Sequence, residues 1–170
     1  ARMFFSDSVL FFTSRRRKEN SLITSFIQKP DEDVYFSKRI NGKWGKAQKI
    51  NIINKNATNT AVIGISQTNN ILYLYSNTNY GDIMMSALKT ADVKPKKIPG
   101  NINTSSYTES SVSIDENGGI CYFVSNRTDI KNYGGKDIFR ATLDSGIYWR
   151  NIQNLGPEIN TVYNEDFIFW

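Results

Sequence analysis

Histidine is absent from the 170-residue sequence, and there is only one cysteine, Cys121. The lack of imidazole excludes Ser-His and Cys-His catalysis within this chain, together with histidine metal ligands and the commonest general base. A single cysteine also excludes an internal disulfide. Because Cys121 aligns with Leu10 and Leu72 in the repeat described below, a small packed hydrophobic residue is favoured there over a reactive thiol.

Long apolar runs are also missing. No stretch approaches the roughly 18 to 20 residues needed to cross a bilayer. The start, Ala1-Arg2-Met3-Phe4-Phe5, lacks the apolar region and cleavage site of a signal peptide, so we expect a mature or excised piece of a protein. A hydrophobic content of 39% argues against disorder, and the length suits one domain with a sizeable core.

The formal net charge is +5, and the densest basic cluster is Arg15-Arg16-Arg17-Lys18. A nucleic-acid site would need a basic groove interleaved with stacking aromatic residues, whereas these aromatic residues follow strand periods and the basic run occupies a loop. A solvated loop is favoured, and an anionic surface or partner is the alternative. The segment 15–32 is far longer than its counterparts, which marks an insertion over its own sheet or a partner contact.

The sequence contains a repeat with a period near 50 residues. A shift of 49 residues aligns ILYLYSN at 71–77 with ICYFVSN at 120–126, and it aligns Ile53-Asn54 with Ile102-Asn103. A further copy of this strand, VLFFTS at 9–14, lies 62 residues before the copy at 71. The strand that follows begins each time with an aspartate, at Asp33, Asp82 and Asp137.

Each unit contains short runs rich in branched and aromatic residues, separated by turns. A period of this length with four strands per unit is typical of a β-propeller. We predict an all-β fold of three four-stranded antiparallel blades, at 1–52, 53–101 and 102–159, with 160–170 as the first strand of a further blade. Because propellers usually close with about four to eight blades, we expect the remaining blades elsewhere in the same polypeptide.

The third unit carries the most characteristic motifs. They are Ser125-Asn126-Arg127, Gly134-Gly135-Lys136-Asp137-Ile138-Phe139, Trp149, Asn154-Leu155-Gly156-Pro157-Glu158-Ile159-Asn160-Thr161 and Tyr163-Asn164-Glu165. These residues resemble the WD-repeat-like, TolB-type propeller repeat of bacterial outer-membrane proteins that also carry an OmpA-like peptidoglycan-binding domain. The second unit keeps Asp82-Ile83 but lacks the double glycine, the arginine and the tryptophan.

The resemblance implies a non-catalytic scaffold of the periplasm or outer membrane that binds other envelope proteins. Some proteins of this kind are components of type IX secretion or gliding machinery. The peptidoglycan-binding domain is not in these 170 residues. We expect no cofactor, no nucleic-acid partner and no direct membrane insertion. The alternative is the accessory propeller of a secreted hydrolase, which would gate a peptidase or hold a glycan.

Several residues of the repeat are expected to have structural roles. They are Asp33, Asp82, Asp137, Arg127, Gly134, Gly135, Trp44 and Trp149. Arg127 ends a second strand where Asp137 begins the third, which predicts an ion pair across that hairpin, and Arg16 and Asp33 would repeat it. Gly134-Gly135 is expected to supply a positive φ.

In a propeller whose first strand is innermost, the loops from second to third strands share a face with the connections between units. This face would carry 15–32, 103–108, 126–136 and 160–164. The residues predicted to contact a partner are Arg15, Arg16, Arg17, Lys18, Phe26, Tyr107, Glu109, Asp129, Tyr163 and Glu165. Glu109 and Glu165 occupy matching places before a first strand, where they either accept backbone donors or line a ligand face.

Two other patterns are weaker. The run SIDENG at 113–118 partly resembles the Asp-box of sialidase-type propellers, but a plain hairpin turn is favoured because the glycine comes one place late and the aromatic residue is missing. Oxygen-bearing side chains at Asn126, Asp129, Asn132 and Asp137 raise the alternative of a calcium site. Their spacing matches no EF-hand, so we predict no metal and no catalytic residues.

Overall fold

The computed structural model describes residues 3–6, 8–16, 31–54, 59–88, 94–115 and 117–168. Over these residues the fold is all-β, with three antiparallel sheets and one short 3₁₀ turn at Thr78–Tyr80. This confirms the predicted all-β fold and its three antiparallel sheets, each with four strand positions. None of the described residues forms a helix long and apolar enough to cross a membrane.

The first sheet contains β1 (Met3–Ser6), β2 (Val9–Ser14), β3 (Asp33–Ile40), β4 (Lys43–Trp44) and β5 (Gln48–Lys49). Both β4 and β5 pair with β3, so the fourth strand position is divided in two. The second sheet contains β6 (Thr60–Ser66), β7 (Ile71–Ser76), β8 (Asp82–Ala87) and β9 (Lys96–Lys97). The third contains β10 (Glu109–Ile114), β11 (Ile120–Ser125), β12 (Asp137–Asp144) and β13 (Tyr148–Asn154).

Apolar residues pack on both faces of the second sheet. On β7, Leu72 and Leu74 belong to a core cluster with Phe11 of the first sheet. Tyr73, between them, belongs to a second cluster with Phe123 of the third sheet. Because successive strand residues point to opposite faces, one continuous apolar run fills both interfaces. The sheets therefore stack face to face, with the second sheet in the middle.

An asparagine that follows each outer strand holds the connection onto the preceding sheet. The Asn103 Oδ1 accepts the N–H of Ile83, and its Nδ2 donates to the Ile83 carbonyl, both at 2.8 Å. Asn54 binds Val34 in the same way, and Asn160 binds Ile138. We call this contact the asparagine clamp. Each clamped residue directly follows the aspartate that begins a third strand, so the clamp recurs with the sequence repeat.

A backbone hydrogen bond then fixes where the next unit begins. The N–H of Glu109 donates to the Gly81 carbonyl at 3.0 Å, and the acceptor is the residue before the third-strand Asp82. The equivalent bonds run from Thr60 to Glu32 and from Glu165 to Lys136, both at 2.8 Å. Each connection therefore ends beside a loop between second and third strands, as predicted for a shared face.

Residues 161–168 do not form the additional first strand that the repeat predicts. Glu165 makes the backbone bond to Lys136 that its counterparts make. In the described part of the chain, however, no second strand follows with which the segment could form a ladder. The segment occupies the place of a first strand without the pairing that defines one.

The two tryptophans of the repeat lie in different environments, although the sequence aligns them. Trp149 is 6% exposed and belongs to the core, whereas Trp44 is 43% exposed on a two-residue strand at the outer edge. The Trp149 carbonyl accepts the Asn101 N–H at 2.9 Å. Gly100 (φ +103°) runs so close that a Cβ would lie 2.2 Å from the Trp149 carbonyl oxygen, so this crossing requires glycine.

Replacing Asn103 with alanine is expected to lower the free energy of unfolding by about 2 kcal/mol, because the buried Ile83 N–H loses its acceptor and the Ile83 carbonyl keeps only the Ile98 N–H. Asn101→Ala is the matched control, since that side chain is exposed and its backbone bond to Trp149 remains. Urea unfolding followed by tryptophan fluorescence measures both variants. Equal midpoints for the two would show that the clamp does not hold the connection.

Candidate functional site

Loops and strand ends from all three sheets surround a cavity of about 770 Å³. The lining includes Ser14 and Arg15 at the end of β2, Glu32 before β3, Thr108 before β10 and Lys136 before β12. The first strands β6 and β10 are in contact beside it. The predicted clustering of the second-to-third-strand loops with the connections between units at one end is confirmed.

Arg15 lies at the rim of the cavity, and the exposed Arg16 follows it in the chain. Arg15 pairs with Glu32 at 3.0 Å and its side chain is half exposed. The exposed Arg16 guanidinium lies 4.7 Å from the centroid of the Tyr35 ring, and its Nε–H donates to the Ser14 hydroxyl at 3.1 Å. Cation–π contact orients such a group while leaving it hydrated. Of the other predicted contact residues in this region, Arg17, Lys18 and Phe26 lie outside the described residues.

The predicted ion pairs across the hairpins are wrong. Arg127 makes a bidentate pair with Asp129, with both N–O distances 2.9 Å, instead of reaching Asp137. This contact is charge-assisted and lowers the pKa of Asp129 through hydrogen bonding to the guanidinium. The Arg16 side chain likewise does not pair with Asp33, because Lys49 occupies that carboxylate.

The third-strand aspartates bind the outer strands instead. Lys97 on β9 reaches Asp82 at 2.9 Å, and the Asn154 amide on β13 donates to Asp137 at 2.6 Å. Lys49 on β5 makes the same contact with Asp33. The position at the start of β3, β8 and β12 therefore ties the third strand to the fourth in every sheet. All three aspartates have structural roles, as predicted, but with partners that the sequence did not indicate.

Gly134 and Gly135 are needed for a different reason from the one predicted. Neither has a positive φ. A Cβ on Gly134 would lie 2.4 Å from the Thr161 carbonyl oxygen and 2.3 Å from that of Tyr163, and a Cβ on Gly135 would meet Asn164. The double glycine therefore allows the segment 161–164 to lie directly on the loop that precedes β12.

Glu109 is fully buried at the start of β10 and receives three hydrogen bonds. Its carboxylate accepts the N–H of Thr104 at 3.1 Å, the Thr104 hydroxyl at 3.3 Å and the Ser125 hydroxyl at 2.9 Å. Burial raises the pKa of Glu109 to about 7, although these bonds and the Arg127 charge oppose the shift. Of the two roles left open by the sequence, the structure therefore shows acceptance of backbone and hydroxyl donors.

Thr104 is an important residue that the sequence prediction omits. Its signal is the recurring Ile-Asn-Thr at 102–104 and 159–161, each followed within five residues by glutamate. The Thr161 N–H and hydroxyl donate to Glu165 at 3.2 and 2.7 Å, as those of Thr104 do to Glu109. The two connections therefore share one geometry.

The remaining predicted contact residues fall into two places. The Tyr107 hydroxyl hydrogen-bonds the Thr128 hydroxyl at 2.8 Å, which brings Tyr107 beside the loop that carries Asp129. Tyr163, 77% exposed, and Glu165 lie on the segment that crosses Gly134 and Gly135. Tyr107, Asp129, Tyr163 and Glu165 are not among the residues that line the cavity.

The residues considered for calcium are not arranged as a ligand set. The Asn126 Oδ1 accepts the Thr108 N–H at 2.7 Å, and the Asn132 amide donates to the Gly134 carbonyl at 3.2 Å. Asp129 faces Arg127, and Asp137 takes the Asn154 amide. Among the described residues, no group of three or more histidine, cysteine, aspartate or glutamate side chains is close enough to hold a metal ion.

Gly134→Ala is expected to lower the free energy of unfolding by about 2 kcal/mol or more, since its Cβ would overlap main-chain oxygens of 161–164. Gly119→Ala is the matched control, because no atom lies within 4 Å of a Cβ at that position. Thermal unfolding measures both. A normal melting temperature for Gly134→Ala would mean that 161–164 does not rest on this loop.

Stability is also expected to depend on pH through Glu109. Its pKa rises from 4.5 to about 7 on folding, so the folded protein holds this proton more tightly than the unfolded chain. The contribution is complete below about pH 4.5 and is lost as the pH rises through 7. Relative to Glu109→Gln, the wild type should therefore lose up to about 3 kcal/mol between pH 4.5 and 8. Urea unfolding of both proteins at several pH values measures this loss, and a difference that stays constant would contradict it.

Comparisons with known proteins add no assignment to this geometry. No protein-family model matches the chain, and neither the curated proteins nor the solved structures contain a match. The functional argument therefore rests on the repeated sheets, the cavity and the charged groups around it.

Proposed function

We propose that the chain is an arc of a β-propeller that acts as a non-catalytic protein-interaction module in a bacterial cell envelope. It binds a partner protein through the loop-bearing end that surrounds the cavity. The observation that carries this proposal is the convergence of three sheets on one cavity, with Arg15 oriented at its rim and the exposed Arg16 next to it in the chain. The stacking of the sheets, with neighbouring first strands in contact, supports the propeller arrangement.

The buried charged groups near the cavity serve the fold. Glu109 holds a connection, Asp82 and Asp137 hold outer strands, and Arg127 binds Asp129. Glu109 is fully buried and so has no access to a substrate, and Glu32 in the cavity lining is paired with Arg15. The groups that remain available at this end are exposed, which suits recognition of another protein surface.

The rim favours an acidic segment of the partner. Arg15 and Arg16 are exposed, and the sequence continues with two further basic residues, Arg17 and Lys18. Within the cavity, burial and the carboxylates of Glu32 and Asp82 raise the pKa of Tyr75, which keeps its phenol protonated as a hydrogen-bond donor. Ser14 and Thr108 add hydroxyl groups to the lining. A partner loop with aspartate or glutamate residues matches the basic residues at the rim.

The resemblance of the third unit to TolB-type repeats supports a periplasmic or outer-membrane-associated location. It also supports partners from the envelope or from a secretion system. In such a propeller the remaining blades complete the ring, and the loop-bearing end is left available for a partner.

Reversing the two rim charges, with Arg15→Glu and Arg16→Glu together, is expected to weaken capture of an envelope partner at least tenfold, because both guanidinium groups would repel an acidic segment. The immobilised chain would be mixed with a bacterial envelope extract and cross-linked. The captured proteins would be quantified by mass spectrometry at two salt concentrations.

Lys43→Glu with Lys46→Glu is the matched control. It makes the same change in net charge near the turn that ends β3, a strand length away from the cavity, where both lysines are exposed. A partner that is lost from the rim variant and kept by this control supports the proposal. Hydrolysis of peptides or glycans by the chain without any capture would favour the accessory propeller of a hydrolase and contradict it.

A further inference from the structure

Among the residues that the structure describes, no sheet covers one face of the third sheet. On the second sheet, the equivalent face is covered by the third sheet, where Ile83 and Ile102 are both 0% exposed. The same positions in the third sheet are Ile138, which the clamp asparagine binds, and Ile159, which precedes that asparagine. Ile138 is only half-buried, and Ile159 is 51% exposed. In the first sheet, Ile53 at this position is 5% exposed, so only the third copy is uncovered.

The segment 161–168 repeats the geometry that precedes β10. Glu165 receives the Thr161 N–H and hydroxyl, as Glu109 receives those of Thr104, and its own N–H binds Lys136. Glu109 also receives a third donor, the Ser125 hydroxyl from the end of β11. Glu165 lacks this donor, and its Oε2 is buried with no hydrogen-bond partner. A buried carboxylate oxygen without a donor costs free energy, so a hydroxyl at this place would stabilise the structure.

From these observations we propose that the far face of the third sheet and residues 159–168 form a docking site for a further four-stranded blade of the same repeat. Glu165 accepts the hydroxyl of the serine or threonine that ends the second strand of that blade. Apolar residues of the same strand cover Ile138 and Ile159. The inference rests on the propeller arrangement proposed above and adds the residues that select the next blade.

The chemistry of the occupant follows from the interface that the chain already contains. The second strands β2, β7 and β11 all end in serine, at Ser14, Ser76 and Ser125. On β11, the residues that face the preceding sheet are Cys121 and Phe123, both buried in the shared core. A strand with this pattern supplies both the hydroxyl for Glu165 and the apolar surface for Ile159. A flat apolar ligand would cover the isoleucines but would leave the carboxylate oxygen without a donor.

The test uses the full chain extended by one copy of its own third unit. Residues 165–170 align with β10, so residues 115–168 are joined after Trp170, which places a copy of Ser125 opposite Glu165. A double-mutant cycle then combines Glu165→Gln with alanine at the added serine. We expect the two changes to be coupled by roughly tenfold in the unfolding equilibrium constant. In the unextended chain, Glu165→Gln should change that constant less than threefold.

Two internal controls make the result decisive. The Glu109 and Ser125 pair, measured by the same cycle, shows the coupling expected of a formed contact. Ile159→Ala should destabilise the extended chain much more than the unextended one. Ile147→Ala, at an equally exposed isoleucine on the turn before β13, should affect the two chains alike.

Three outcomes would overturn the proposal. The first is no coupling at Glu165 while the internal pair stays coupled. The second is rapid proteolysis of the added residues while the first three sheets remain folded. The third is a dimer of the unextended chain that Ile159→Ala dissociates, which would assign this face to a second copy. None of these measurements involves an envelope partner, so their failure is distinct from a failure of capture at the arginine rim.

Discussion

The asparagine clamp is the contact on which the arrangement of the sheets depends. At the start of β8, the N–H and carbonyl of Ile83 point away from β7 toward an outer strand that is only two residues long. The Asn103 side chain supplies the acceptor that the Ile83 N–H would otherwise lack, and it adds a second donor to the Ile83 carbonyl, which also accepts the Ile98 N–H. Because Asn103 belongs to the connection, the same two bonds also fix the path of the chain toward the next sheet.

The clamp thus links strand pairing within one sheet to the position of the next sheet. This explains how the middle sheet can be apolar on both faces. Leu74 and Tyr73 are adjacent on β7 and belong to different core clusters, so each needs a neighbouring sheet held at a fixed position. The connections hold those positions through bonds to backbone groups. Stability in such a stack is a sum of nearest-neighbour interfaces, and a terminal sheet is less well covered than a middle one.

Much of the fold could be predicted because its signals are local and repeated. The alternation of β2 and β11 and the aspartates that begin β3, β8 and β12 place strands at the residues where the structure has them. The side-chain partners could not be predicted in this way. Asp137 can reach the preceding loop or the following strand, and sequence does not show which edge it faces. Arg127 prefers Asp129, two residues away, because that pair forms with little loss of chain entropy.

The raised pKa of Glu109 is explained by the place of this residue in the stack of sheets. Its carboxylate is desolvated because β10 begins inside the stack, and its donors belong to the connection and to β11. Removing water from this carboxylate, which is fully buried, raises its pKa. The shifted pKa is thus a consequence of holding the connection. At this end of the molecule, Arg15 and Arg16 are exposed and are oriented by neighbours that the sheets position.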